Sequence, residues 1–192
     1  MKEPDHFAAF DFAVCGIDEL GGYRTAGVTH VLSILDPAFP DPAALDAFTA
    51  GRRLALRFHD VIDEREGAIA PQAADVERLL RFGRELDEAQ SARPYLLVHC
   101  HAGVSRSTAA MFLLLAQARP DLPAADALAA LCRVRPGAWP NLRLVEHGDA
   151  LLGRRGELLA ALRAHYRAVL LRDPAVGPAM RLAGRDREIP QK

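Results

Sequence analysis

The chain has 192 residues, half of them hydrophobic, which is enough for one domain with a real core and too few for two ordinary ones. Its 24 basic and 25 acidic side chains leave a formal net charge of −1, which excludes the strong overall field that recruits nucleic acid or an anionic membrane. The longest strongly apolar run, residues 109–118, is far short of a membrane span, and residues 1–6 carry no apolar stretch of signal-peptide type, so a cytoplasmic protein without membrane insertion is expected.

Taken in chain order, residues 7–16 read as a first strand and 17–26 as a short helix. Residues 28–35 are β-rich and stopped by Asp36-Pro37, so a buried strand is expected there. A proline-rich loop (37–42) follows, then a third strand (54–58) and a charged loop (60–70). Pro71 opens a helix whose Val76, Leu79, Leu80, Gly83 and Leu86 share one face. Residues 95–98 form a short apolar strand, and 105–118, apolar nearly all round, should be the central buried helix. Three more helices are expected: one after Asp121-Leu122-Pro123 with Ala124, Leu128, Leu131 and Cys132 inward, one opening at Pro140-Asn141, and one marked by Leu158, Leu162, Tyr166 and Val169. Residues 172–192 show no periodicity and are expected to form a flexible tail behind a single domain over 1–171. Strands separated by helices imply an α/β fold with a central, mainly parallel sheet flanked by helices. Ligands in such sheets bind beyond the carboxyl ends of the strands.

The segment at that position is His99-Cys100-His101-Ala102-Gly103-Val104-Ser105-Arg106-Ser107. A cysteine stands at a strand end, five residues separate it from an arginine, and a helix begins there. A loop of this length curls around an oxyanion, with the backbone N–H groups of His101, Ala102, Gly103, Val104, Ser105 and Arg106 turned inward beside the positive end of the helix. Gly103 supplies the free backbone angles. Arg106 offers a planar fork for two phosphate oxygens, and the same field favours a nucleophilic thiolate at Cys100. A metal reading of His99-Cys100-His101 fails because adjacent strand residues point to opposite sides and no second ligand pair at zinc spacing follows. Three cysteines (Cys15, Cys100, Cys132) are too few for a disulfide framework, and Cys15 and Cys132 read as core thiols. A disulfide from either to Cys100 would protect the nucleophile from over-oxidation, but the sequence does not place them near it. Arg52, Arg53, Arg154 and Arg155 read as solvated surface before they read as a receiver for an acidic substrate.

This run resembles the signature of the cysteine-dependent protein tyrosine phosphatases, and its Ala-Gly-Val-Ser-Arg-Ser form is most similar to the dual-specificity branch. Arg135-Pro136 to Pro140-Asn141 resembles a second segment of that branch, although Leu142-Arg143-Leu144 replaces its usual continuation. The resemblance covers roughly residues 28–152. It implies hydrolysis of phosphate monoesters, phosphotyrosine and possibly phosphoserine or phosphothreonine in proteins, through a phosphocysteine on Cys100 and without cofactor or metal. Arg106 would bind the transferring group and an aspartate after an earlier strand would serve as general acid. Asp60 fits that position; Asp63 is the runner-up, with Glu64 and Glu66 behind it. The loop 60–70 is longer than is usual in the branch. His99 would orient the loop by hydrogen bonds, Ser107 would stabilise the departing thiolate, and Asn141 would arrange the loop or the attacking water, cap the next helix, or do both. The implied partner is a phosphorylated protein or a small phosphorylated substrate. The other readings are a phosphatase for a lipid or small-molecule phosphate, and a catalytically silent phosphate-binding scaffold. Lysines common in phosphoinositide phosphatase loops are absent here, where His101 and Val104 stand. The oligomeric state is not legible.

Overall fold

The computed structural model describes residues 7–48, 51–87 and 93–190. Four strands, β1 (Asp11–Cys15), β2 (His30–Leu35), β3 (Arg52–Arg57) and β4 (Tyr95–His99), form one sheet in the order β1-β4-β2-β3. Every pairing is parallel, with Cys15 opposite His99 and Ser33 opposite the same residue from the other side. The two central strands are the apolar ones, β2 being buried throughout. Strand β3 takes an edge and begins with exposed Arg52 and Arg53, charges that discourage edge-to-edge pairing.

One face of the sheet carries five helices: α1 (Ala73–Asp87), α2 (Arg106–Ala118), α3 (Ala124–Val134), α4 (Leu142–Leu151) and α5 (Glu157–Arg172). Helix α2 lies at their centre and is buried from Arg106 to Ala116, as its nearly uniform apolarity predicts. The other face is covered more thinly. Two 3-10 helices, Ile17–Tyr23 and Ala43–Phe48, set Leu20, Leu45 and Phe48 against Ala13, Cys15, Val31 and Leu97. The second follows the proline-rich loop, where the sequence pattern announces no element. Cys132 is half-buried rather than fully inward, with its sulfur 3.8 Å from His165 Nδ1.

The C-terminal segment departs most from the sequence expectation of a flexible tail. It contains helix α6 (Val176–Leu182) and a 3-10 turn at Asp186–Glu188, and it buries Arg185 and Glu188. Residues 191 and 192 of the expected tail lie outside the described residues. The segment's buried side chains are polar and only Val176 and Met180 pack part-buried against the core, so no apolar periodicity announces it. Glu188 accepts hydrogen bonds from Trp139 Nε1 and the Leu142 amide (2.9 Å), and Trp139 stacks on Tyr166 at 4.3 Å. A fully buried carboxylate is tolerated only with such donors.

Close approach of α4 to α2 depends on Gly148, where an added Cβ would lie 2.2 Å from Leu113 Cδ2. The helix-propensity gain of replacing this glycine is about 1 kcal/mol at most, and overpacking a buried leucine costs more. Gly148→Val is expected to lower stability by about 2 kcal/mol, read as a lower midpoint in urea unfolding with an unchanged slope.

Candidate active site

Cys100 follows β4 directly and is buried, with its Sγ 3.1 Å from Ser107 Oγ at the start of α2. Between them the chain curls through residues 101–105. Each outward-facing carbonyl of the curl is taken up by a neighbour. The Ile17 amide donates to His101 O (2.9 Å), Arg135 Nη2 to Ala102 O (2.9 Å) and Arg135 Nε to Gly103 O (2.9 Å). The Trp139 amide donates to Val104 O (2.9 Å), and the Asn141 and Ala109 amides to Ser105 O. A trans peptide points its N–H opposite to its C=O. Fixing the carbonyls outward therefore turns the N–H groups of Ala102 through Arg106 to the concave side, where they form an anion nest at the N-terminus of α2. Gly103 permits the curl: its φ is +70°, and a Cβ there would sit 2.5 Å from the Cys15 carbonyl carbon.

Arg135 is braced in turn by Glu19, at 2.8 Å, and the same carboxylate accepts from the Gly16 amide at 2.6 Å. The bond from Arg135, followed by that from Gly16, holds the Glu19 carboxyl below its ordinary value. The 3-10 helix after β1 and the turn after α3 are thus locked together across the back of the loop.

Arg106 enters the same space from the first turn of α2. Its Nη1 donates to Asp36 Oδ1 (2.6 Å) and to Phe58 O (2.7 Å), which fixes the guanidinium plane. Its Nε is buried with no partner among the described residues, a donor awaiting an acceptor. His101 accepts from the Asp36 amide through Nε2 (3.2 Å) and packs edge-on against Phe39. Burial, and then the charge of Arg106, push its pKa down. Asp36 was not singled out from the sequence; its place at the carboxyl end of a strand was the available signal.

Asp60 lies in the loop after β3. Its Oδ1 accepts from Ser105 Oγ (2.7 Å) and Asn141 Nδ2 (2.9 Å), and Arg185 Nη1 stands 3.4 Å away. Asn141, fully buried, also caps α4 by accepting from the Leu144 amide (3.1 Å) and ties down the loop after β3 by donating to Val61 O. Asp63 is instead paired with Arg187 (2.7 Å), Glu64 is exposed and paired with Arg143 (3.0 Å), and Glu66 is exposed. The structure therefore brings Cys100, Arg106, Ser107, Asp60 and Asn141 together around the loop, and turns Asp63 and Glu64 to outer arginines.

Two expectations change. The hydrogen bonds expected to let His99 orient the loop are not formed at full geometry by either ring nitrogen among the described residues; burial pushes its pKa down to about 4, opposed by the nearby Cys100 backbone. Arg154 is not a solvated surface residue. It braces the chain by donating to Leu122 O (2.9 Å) and pairing with Glu157 (2.8 Å). Arg52 and Arg53 pair with Glu85 and Asp41, while Arg155 is exposed at a left-handed φ of 53°. Cys15 packs in the apolar cluster on the opposite sheet face from the one that holds Cys100. Burial, and then Glu19, push its thiol up to about 12. The sequence reading also missed Arg135 as the loop's brace and Arg185 beside Asp60. The first sits in the recognised Arg-Pro segment; the second lies in a stretch with no pattern at all. Among the described residues no group of three or more His, Cys, Asp or Glu side chains could hold a metal ion, and no helix is long and apolar enough to cross a membrane.

No family model matches the chain. It is similar to dual specificity protein phosphatase 12 from Mus musculus, 33% identical over 100 residues that cover 52% of this chain and 26% of that protein. The Rattus norvegicus protein of the same name is 37% identical over 98 residues, covering 50% and 24%. The chain thus spans about a quarter of the length of the curated relatives it matches. Among solved structures, human DUSP28 superposes with a TM-score of 0.54 at 21% identity, covering 74% of this chain and 94% of that one. The chain thus shares the fold of this solved phosphatase structure. In sequence it is similar to dual specificity phosphatases over about half of its own length.

Arg135→Ala frees two loop carbonyls and lets their peptides rotate. Vanadate is expected to bind about ten-fold more weakly, equivalent to roughly 1.4 kcal/mol, with the thermal midpoint little changed. Cys15, buried and protonated around neutral pH, is expected to resist iodoacetamide in the folded protein, as checked by peptide mass mapping after brief labelling.

Proposed function

We propose that the chain is a phosphatase that hydrolyses phosphate monoesters of proteins, phosphotyrosine foremost, through a phosphocysteine on Cys100. The observation that carries this reading is the cradle itself. A cysteine sulfur stands beside a nest of inward amides, together with an arginine whose Nε is a buried donor with no acceptor among the described residues. A phosphoryl group supplies three oxygens to match those donors, and its bidentate pairing with a guanidinium suits Arg106.

In the first step the Cys100 thiolate attacks phosphorus in line with the leaving oxygen. The S–P bond forms as the P–O bond breaks, and the leaving oxygen takes a proton from Asp60. In the second step water attacks the phosphocysteine and gives its proton to Asp60. The S–P bond breaks, inorganic phosphate departs and the thiolate is restored. Ser107 Oγ, 3.1 Å from the sulfur, donates to it as it leaves. The amides and Arg106 hold the equatorial oxygens throughout, so positioning and charge stabilisation supply most of the catalysis. The loop side chains His101, Ala102, Gly103, Val104 and Ser105 include no lysine or arginine to meet the extra phosphates of a polyphosphorylated headgroup, which favours a protein monoester.

Cys100→Ser is expected to abolish turnover while retaining vanadate binding, because the amides persist and the hydroxyl is not ionised; appreciable turnover would overturn the covalent route. Asp60→Asn is expected to slow hydrolysis of tyrosine phosphate about 100-fold, and to affect an aryl phosphate with a strongly acidic leaving group far less. Asp63→Asn should leave both rates unchanged. Steady-state kinetics on phosphotyrosine, phosphoserine and lipid phosphates would rank the substrates.

A further inference from the structure

The C-terminal segment reaches the acid. Arg185 is buried, and its two terminal nitrogens span three partners: Nη1 lies 3.4 Å from Asp60 Oδ1, while Nη2 donates to Ser105 Oγ (2.9 Å) and Glu188 Oε1 (2.7 Å). Ser105 Oγ in turn donates to Asp60 Oδ1 at 2.7 Å, which closes a triangle of arginine, serine and aspartate. Asn141 completes the grip on the same oxygen. These contacts all fall on Oδ1, which leaves Oδ2 without a bonded partner among the described residues. The segment holds the acid loop at a second point as well, because Arg187 pairs with Asp63 and donates to Ile62 O (3.4 Å).

We propose that Arg185 is a positioning residue for the general acid Asp60, and that the docked C-terminal segment thereby forms part of the active site. This rests on the assignment of Asp60 as acid made above. Among the described residues Arg185 bonds Asp60, Ser105 and Glu188 and neither the sulfur nor Arg106, so it acts through Asp60 and Ser105. The planar guanidinium is the feature that matters, since one fork meets Glu188, Ser105 and Asp60 together and an ammonium cannot. Glu188 anchors the fork and is itself fixed by Trp139 and the first turn of α4.

The competing role is purely structural: Arg185 would merely compensate the buried Glu188. Removing one member of a buried pair leaves a bare charge, so the test keeps the charge and changes the shape. Arg185→Lys in the full chain is expected to cut kcat on tyrosine phosphate about ten-fold while changing hydrolysis of the acidic-leaving-group aryl phosphate less than two-fold, the order of loss for a partly misplaced acid. In an Asp60→Asn background the same substitution should cause no further loss, because nothing is left to position. An equal loss on both substrates, or an undiminished loss in the Asp60→Asn background, overturns the proposal. If Arg185→Lys does not fold, the Arg185→Met/Glu188→Gln double variant removes both buried charges together and carries the same two readings. Absence of leaving-group dependence in Asp60→Asn alone would refute the acid assignment instead, and so separates the two failures.

Discussion

Turning five successive peptide N–H groups toward one point is the constraint on which this site depends. Aligned amide dipoles repel one another, and each inward N–H commits a carbonyl to the opposite side, where it needs a donor of its own. The donors come from far apart in the chain: Ile17 after β1, Arg135 after α3, and Trp139 and Asn141 before α4. Three segments, the loop itself included, must therefore arrive in register before the loop can hold its shape. The sheet supplies that register, since pairing of β1 with β4 sets Cys15 beside His99 and lets Gly103 rest on the β1 backbone.

The Asp60 side of the site is built by the same economy of parts. Asn141 caps α4 and, with its amide nitrogen, also holds Asp60 and Val61. Ser105 gives its carbonyl to α2 and its hydroxyl to Asp60. Arg185 keeps its charge because Asp60 and Glu188 outweigh the burial that opposes it. Buried charged groups contribute little net stability when paired, yet they are costly to misplace, so such a network specifies geometry more than it adds cohesion.

The three cysteines show how position divides identical chemistry. Cys100 shares its loop with inward amides and Arg106. Cys15, only one strand away, faces the other side of the sheet among Leu20, Leu45 and Phe48, where burial keeps it a thiol. Cys132 lies between helices against His165, and burial raises its thiol as well. Strand alternation separates the first two: neighbours across a parallel pairing, offset by one residue, point to opposite faces.

The sequence by itself determined whatever depends on short-range chemistry. The continuous apolarity of 95–98 and of 106–116 predicts a buried strand and a buried helix, and the five-residue spacing from Cys100 to Arg106 predicts the curl between them. Asp60 at a strand end and Asn141 before a helix were legible for the same reason: each sits at a boundary that local patterns mark. Only the tertiary structure decided which distant groups close the site. Asp36 against Arg106, Arg135 behind the loop, and Arg185 beside Asp60 are contacts over 70, 32 and 125 residues of chain, made by single polar side chains. A lone charged residue leaves no periodicity, and its partner is fixed only once the sheet and the five helices have brought their ends together. The C-terminal segment is the extreme case. Its buried side chains are an arginine and a glutamate, the types that composition assigns to solvent, and only the partners waiting in the folded core make their burial favourable.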